Sequence, residues 1–289
     1  MNLVHKLKVV LEMIKFEHTI FALPFAYMGA VLGSLEVRGV LPSWAEIGWI
    51  TLAMVGARSA AMALNRLIDR HIDAKNPRTK NRAIPAGLVS VPFVWGFVVV
   101  SFAMLFVAAF QLNMLAVKCL PLAVFFLMFY SYTKRFTWTC HFFCGLSSAL
   151  GAIGGWVATT AQIDVTSIVL YLTVALWIGG FDVIYACQDV KFDREERLFS
   201  IPARFGIAPA LWISGLMHVC TAVGLIALVY MTSLGAWYTV GALIAIAILV
   251  YEHAIVKPND LSRLNTAFFT MNGVLSVLIF VFTMLDVFL

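Results

Sequence analysis

Charge is what this chain of 289 residues has least of: Asp, Glu, Lys and Arg together make up 12% of it, against 62% hydrophobic residues. Its mean hydropathy is +0.93. Soluble domains use roughly 25% charged residues, so a water-exposed globular surface is excluded for most of the chain. Cysteine is sparse as well. The five cysteines (Cys119, Cys140, Cys144, Cys187, Cys220) are odd in number and contain no CxxC pair. That excludes a disulfide framework and a cysteine zinc site, and leaves them as small apolar packing residues. No Walker-type glycine loop and no HExxH helix occurs, which argues against ATP-driven transport and zinc proteolysis. The opening MNLVHKLKVVLEMIKF is interrupted by Glu12 and Lys15 and lacks the apolar region of a cleavable signal. Residues 1–16 are expected to form an interfacial amphipathic helix.

What is present is a series of apolar runs of about 20 residues, the length that crosses a bilayer as a helix. Between polar breaks they cover 17–35, 44–64, 92–111, 113–132, 139–160, 166–186, 208–230, 236–255 and 266–288. The third and fourth are divided only at Gln111–Asn113. The fold class read from this is all-α: a polytopic membrane bundle of about nine transmembrane helices, filling 1–289 as one domain. If Lys6, Lys8 and Lys15 are cytoplasmic, nine spans place all but Arg38, Arg58 and Lys118 of the 20 Lys and Arg residues on that face. This satisfies the positive-inside rule with the N-terminus inside and the C-terminus outside. The net charge of +5 is then a topological asymmetry. The basic loops carry carboxylates and almost no aromatics, so the lipid bilayer is an expected partner and nucleic acid is not.

Two polar blocks interrupt the apolar pattern. In NRLIDRHIDAKNPRTKNRAIPAG, Asn65, Asp69 and Asp73 recur at i, i+4 and i+8, one face of a helix. In FDVIYACQDVKFDREERLFSIPARFG, Asp182, Asp189 and Asp193 fall at i, i+7 and i+11, again one helical face. Both end a span and lead into a basic loop with a proline turn, a pattern that a duplicated four-span unit plus a ninth helix would produce. Clustered carboxylates repel one another unless a cation sits between them, and hard oxygen donors of this kind suit Mg²⁺ shared with substrate phosphates. The neighbouring Arg and Lys residues suit a diphosphate's remaining oxygens. Arg58 and Asp182 fall inside expected spans, where ionisable groups tend to face a functional cavity; a plain structural Arg58–Asp182 pair is the alternative. Simple anchoring of helix ends by juxtamembrane charges, and a cation- or proton-coupled transporter, are the rival readings of the stripes.

The ordered set resembles the UbiA superfamily of membrane aromatic prenyltransferases. It comprises Asn65-xxx-Asp69-xxx-Asp73, Arg78-Thr79-Lys80-Asn81-Arg82, Pro85-Ala86-Gly87, Asp182-xx-Tyr185-Ala186-xx-Asp189-xxx-Asp193, Ser200 and Phe205-Gly206. Arg58 and Tyr130-Ser131-Tyr132-Thr133-Lys134-Arg135-Phe136-Thr137 extend the likeness over most of the chain. The resemblance implies nine helices with both Asp-rich motifs on the cytoplasmic side of a cell membrane, the inner membrane in a bacterium. It implies Mg²⁺-dependent transfer of a polyprenyl group from a polyprenyl diphosphate donor to an aromatic acid acceptor in quinone biosynthesis. The wording is nearest to the branch that acts on 4-hydroxybenzoate and to its relatives in menaquinone synthesis. Asp69, Asp73, Asp189 and Asp193 would carry the metal, with Asn65 as ligand or orienter. Arg58, Lys134 and Arg82 would contact diphosphate or the acceptor's carboxylate, Asp182 would bind substrate, and Tyr130 and Tyr185 would shield an allylic cation. Loop 74–82 would close over it.

Two departures bear on the acceptor. Where the family carries Pro-Gln, this chain has Cys140-His141; a histidine there either orients a ring substituent or simply sits at a helix end. Val190-Lys191-Phe192 lies between the second-motif aspartates where relatives of the ubiquinone branch are more acidic. A dihydroxynaphthoate therefore stays open as acceptor, and so, further off, do haem, chlorophyllide and a glycerol phosphate. His18, near the start of the first span, is either a substrate contact or a packing residue.

Overall fold

A helix 32 residues long, Trp44–Lys75 (here α3), sets the dimensions of the molecule. At 1.5 Å per residue it is about 48 Å long, well beyond the roughly 30 Å of a hydrocarbon core, so its apolar body and its charged last turns occupy different surroundings. Ser43 starts it with a capping box: its hydroxyl accepts the Glu46 amide, and the Glu46 carboxylate accepts the Ser43 amide. The computed structural model describes residues 3–15 and 19–289, with side chains from residue 23 onward in the second stretch. His18 lies outside the described residues.

The other helices are α1 Leu3–Met13, α2 Thr19–Gly33 with a π-helical turn Ser34–Arg38, α4 Val91–Leu112, α5 Met114–Thr133, α6 Cys140–Ser148 and α7 Leu150–Thr160. They continue with α8 Val165–Ala186, α9 Val190–Glu195, α10 Ile201–Phe205, α11 Ile207–Met231 and α12 Ala236–Ile255. A π-helical turn Thr266–Met271 then leads into α13 Asn272–Phe288. No strand occurs among the described residues. Eight helical stretches in them are long and apolar enough to cross a membrane. The 15 residues of α2 fall below that length and pack along α7.

Local chemistry explains the breaks. The division between α4 and α5 is made by Asn113: its side-chain oxygen caps α5 on the Ala116 amide at 2.9 Å. Its amide donates to the carbonyls of Val157 and Ala158 at 2.7 and 2.9 Å. The expected span 139–160 is two helices with a step at Ala149. The second polar block also departs from expectation. Asp182, Asp189 and Asp193 do not share one continuous helix, because α8 ends at Ala186 and tightens into a 3₁₀ turn, Cys187–Asp189, before α9. The tighter winding re-aims the last two aspartates relative to Asp182.

Packing runs α3 on α4, α2 on α7, α8 on α6 and α11, and α12 on α13. The largest core cluster gathers Met28, Leu32, Trp156, Leu170, Leu228, Tyr238, Leu275 and Ile279 from six helices. Val10 of α1 and Ile14 just after it are buried in one cluster with Leu64, Leu67 and Val94. Outward positions on the long helices are apolar as well: Val99, Phe110, Leu122, Trp212, Leu216 and Leu243 are all exposed. A bundle apolar inside and out, with backbone polar groups satisfied within helices, is an integral membrane protein.

The α2–α7 contact depends on glycine. A Cβ at Gly155 would lie 2.0 Å from the carbonyl oxygen of Ala26, and one at Gly29 would lie 2.0 Å from that of Ala152. Two backbones meet there, as small residues allow in membranes. Gly155→Leu is therefore expected to force the helices apart at a cost of about 1–3 kcal/mol or more. A lower melting temperature of the detergent-purified variant checks this, while Gly154→Leu, with open space at its Cβ, serves as control.

Candidate active site

All eleven side chains singled out from the sequence line one cavity of about 840 Å³: Arg58, Asn65, Asp69, Asp73, Arg82, Tyr130, Lys134, Asp182, Tyr185, Asp189 and Asp193. Its mouth is ionic. Asp69, buried on α3, receives Lys134 Nζ at 2.5 Å, Arg135 Nη2 at 2.8 Å and the Asn65 side-chain amide at 3.2 Å. One turn on, Asp73 takes Arg82 Nη1 on both carboxylate oxygens, at 2.7 and 2.8 Å. Across the cavity, Arg78 grips Asp189 with a two-pronged contact, Nε to Oδ1 at 3.1 Å and Nη2 to Oδ2 at 2.6 Å. Asn76 donates to the same Oδ1 at 3.3 Å. Asp193 accepts the Ser200 hydroxyl at 2.8 Å.

These contacts stitch distant segments together. The loop after α3 reaches the second aspartate motif through Arg78. The loop after α5 reaches the first through Lys134, whose carbonyl also accepts the Phe199 amide at 2.7 Å. Lys75 and Glu196 add a pair at 2.5 Å. Thr79, buried, donates its hydroxyl to the Asp73 carbonyl at 3.0 Å and folds the loop back over the helix end. Burial alone would lower the Arg78 guanidinium, but its hydrogen bonds and proximity to Asp189 outweigh that and hold it above the ordinary arginine value.

Among the described residues no three Asp, Glu, His or Cys side chains are grouped so that they could hold a metal ion; Asp69, Asp73 and Asp189 are each paired with cations. Buried carboxylates require such neighbouring positive charge. The plain structural Arg58–Asp182 pair, the alternative reading of those two residues, is not formed. Asp182 Oδ2 lies 2.7 Å from His141 Nδ1, and Arg58 Nε is buried with no hydrogen-bond partner. Arg66 Nε, on the same helix and lining the same cavity, is in the same condition. Two buried guanidinium donors without acceptors, beside a cavity, mark a place for an anion.

Below the mouth the walls turn apolar: Phe25, Ala152, Val174, Trp177, Phe181 and Phe268. Tyr185 stacks on Phe268 with ring centroids 4.0 Å apart, and its hydroxyl accepts Arg78 Nη1 at 3.1 Å. The Tyr130 hydroxyl donates to the Ala61 carbonyl at 3.3 Å, anchoring that ring to α3. Arg66 joins the site without having been singled out for it. Arg78 and Arg135 had been motif residues with no individual role, and His141, expected as either a ring-orienting group or a helix-end residue, lines the cavity. Reading every fourth residue of α3 passes over Arg66, which follows Asn65 directly; its placement in the polar end of a span was the available signal.

A cavity with an ion-lined mouth and an aromatic depth, set in a membrane bundle, defines an integral membrane enzyme for substrates with an anionic head and an apolar tail. The chain belongs to the UbiA prenyltransferase family, whose profile matches residues 22–274. It is 28% identical over 234 residues to the 4-hydroxybenzoate octaprenyltransferase of Aliivibrio salmonicida, spanning 81% of this chain and 82% of that protein. The corresponding enzyme of Vibrio campbellii is 27% identical over the same shares. Among solved structures, an apo UbiA homolog from Aeropyrum pernix superposes with a TM-score of 0.85 at 32% identity, covering 94% of this chain and 98% of that one. A homolog from Archaeoglobus fulgidus bound to GPP and Mg²⁺ shares the fold, with a TM-score of 0.75 at 18% identity over 97% of this chain and 100% of that one.

The unsatisfied Arg66 Nε generates a test, since Nη1 donates only to the neutral Asn65 Oδ1, at 3.3 Å. A guanidinium with a buried donor left without an acceptor destabilises the protein that holds it, so Arg66→Met, similar in length and uncharged, is expected to raise the melting temperature of the ligand-free protein in detergent. A melting temperature lowered by several degrees would contradict this account of Arg66.

Proposed function

We propose that this chain transfers a polyprenyl group from a polyprenyl diphosphate to the ring of an aromatic hydroxy acid of the 4-hydroxybenzoate type, with Mg²⁺ as cofactor. The observation that carries the reading is the pair of buried, unpartnered guanidinium nitrogens of Arg58 and Arg66 beside four aspartates, above an aromatic-lined apolar depth. The first group suits a diphosphate, the second an isoprenoid tail.

The residues fit Mg²⁺ by donor chemistry. Asp69, Asp73, Asp189 and Asp193 are hard oxygen donors on one cavity, and Mg²⁺ favours one or two carboxylates completed by water and phosphate oxygens over a closed protein cage. Asn65, hydrogen-bonded to Asp69, would join or orient that set. Arg78, Arg82, Lys134 and Arg135, which pair with Asp189, Asp73 and Asp69, would meet diphosphate oxygens if those carboxylates held the metal. When bound, Mg²⁺ supplies Lewis-acid stabilisation of the negative charge on the departing diphosphate. The chain's own share is electrostatic: Arg58, Arg66, Arg82 and Lys134 are aimed where charge develops as the allylic C–O bond breaks. Tyr130, Tyr185 and Phe268 offer π-faces to the allylic cation. The apolar walls and the loop 74–82, read as a lid, keep water from quenching it. Asp182 takes the acceptor's hydroxyl.

The same proposal takes α2 as a ninth span and the chain as a single membrane domain with α1 at the interface. The mouth, the basic loops and the N-terminus then lie in the cytoplasm and the C-terminus outside. The curated relatives named above favour 4-hydroxybenzoate over a dihydroxynaphthoate, and an acceptor panel separates the two.

Membranes containing the protein are expected to move a labelled prenyl group from geranyl or longer diphosphate onto 4-hydroxybenzoate, with the product lost on chelation of Mg²⁺. Product on a dihydroxynaphthoate alone would reassign the acceptor, and no ionisation of any donor by folded protein would remove the reading. Asp69→Asn and Asp189→Asn are each expected to abolish turnover while the protein stays folded. Substantial activity in both would sink the role given to the two motifs.

A further inference from the structure

One buried histidine of the cavity has no part in the function just described. His141, in the first turn of α6, is 3% exposed. Its Nδ1 lies 2.7 Å from Asp182 Oδ2, and its Nε2 lies 3.3 Å from the backbone nitrogen of Ile201. The second contact fixes the character of the first. A backbone amide only donates, so Nε2 must present its lone pair; the ring hydrogen then sits on Nδ1 and is donated to Asp182. One imidazole thereby locks three elements: α6, which carries it, α8, which carries Asp182, and the start of α10.

Two further observations give the lock a direction. Asp182 lines the cavity with 29% of its side chain exposed, so acceptor capacity that His141 does not use opens on substrate space. The residue before Ile201 is Ser200, whose hydroxyl holds Asp193 at 2.8 Å. The backbone that fixes the His141 tautomer is thus anchored independently of the histidine, through Ser200 to Asp193.

We propose that His141 is a positioning residue for substitution on the ring: it holds Asp182 as the acceptor for the phenolic hydroxyl of the aromatic substrate. This rests on the function proposed above. The allylic carbon–oxygen bond breaks and its electron pair leaves with diphosphate. A π pair of the ring carbon ortho to the hydroxyl forms the new carbon–carbon bond while the hydroxyl proton moves to Asp182, leaving a neutral cyclohexadienone. The proton on the substituted carbon then departs to diphosphate, its bonding pair restores the aromatic ring, and the oxygen recovers its proton from Asp182. His141 stays neutral throughout and keeps the carboxylate turned to the ring.

The test compares two replacements with different reach. The Asn side-chain amide N–H occupies the place of the histidine Nδ1–H, whereas the longer Gln amide mimics Nε2. His141→Gln and His141→Ala are expected to lower kcat with a hydroxybenzoate about 100-fold or more, with KM for the prenyl diphosphate unchanged. His141→Asn is expected to keep kcat within about tenfold of the wild type. Hydrolysis of the prenyl diphosphate without acceptor, read in the same membranes, should be unaffected in all three, which separates loss of positioning from loss of fold. A His141→Ala variant within about threefold of wild-type kcat would overturn the proposal. So would equal impairment of the Asn and Gln variants accompanied by equal loss of donor hydrolysis. A wild-type chain that hydrolyses the donor but prenylates no hydroxy acid would instead fail the function proposed above, and this inference with it.

Discussion

Charge inside a low-dielectric bundle has to be paired, and the site is the consequence of that rule. Asp69 and Asp73 sit on one helix, buried to a few per cent exposure, where an uncompensated carboxylate would cost several kcal/mol. Their partners cannot come from the apolar helices around them, so loops supply them: Arg82 from the loop after α3, and Lys134 and Arg135 from the end of α5. Arg78 crosses to Asp189 for the same reason. The loops are consequently structural parts of the cavity, folded onto it by the ion pairs.

The exceptions carry the functional information. Arg58 and Arg66 break the pairing rule with buried Nε atoms that have no acceptor, and both border the cavity. A protein retains such groups where their partner arrives from outside. The change from ionic mouth to aromatic depth adds the second requirement, since a ligand that satisfies the arginines must also tolerate Phe25, Trp177 and Phe181. Trp177 is itself fixed, its indole N–H donating to Asn272 at 2.7 Å, so the depth has rigid walls.

Much of this was legible in the sequence because its signals are local. Apolar runs mark helices in a membrane, and among the described residues every expected span except 139–160 falls largely within one helical stretch. The every-fourth-residue stripe Asn65-Asp69-Asp73 lies on α3 and faces the cavity as read. What failed was also local in kind. The second stripe was read as one helix, but the 3₁₀ turn at Cys187–Asp189 changes the winding there, and periodicity assumes constant winding. The span 139–160 steps at Ala149 because neighbouring helices decide where a helix offsets.

The sequence by itself determined the class of the protein, its helices and the residue types at its site, since hydropathy and spacing act over a few turns. Only the tertiary structure decided who pairs with whom: that Asp182 belongs to His141 and not to Arg58, that Arg78 spans to Asp189, and that Arg66 Nε is left without an acceptor. Arg78 and Asp189 lie 111 residues apart along the chain, and His141 and Asp182 lie 41 apart. An ion pair is selected by separation in space and by the cost of desolvation, and neither quantity is written along the chain.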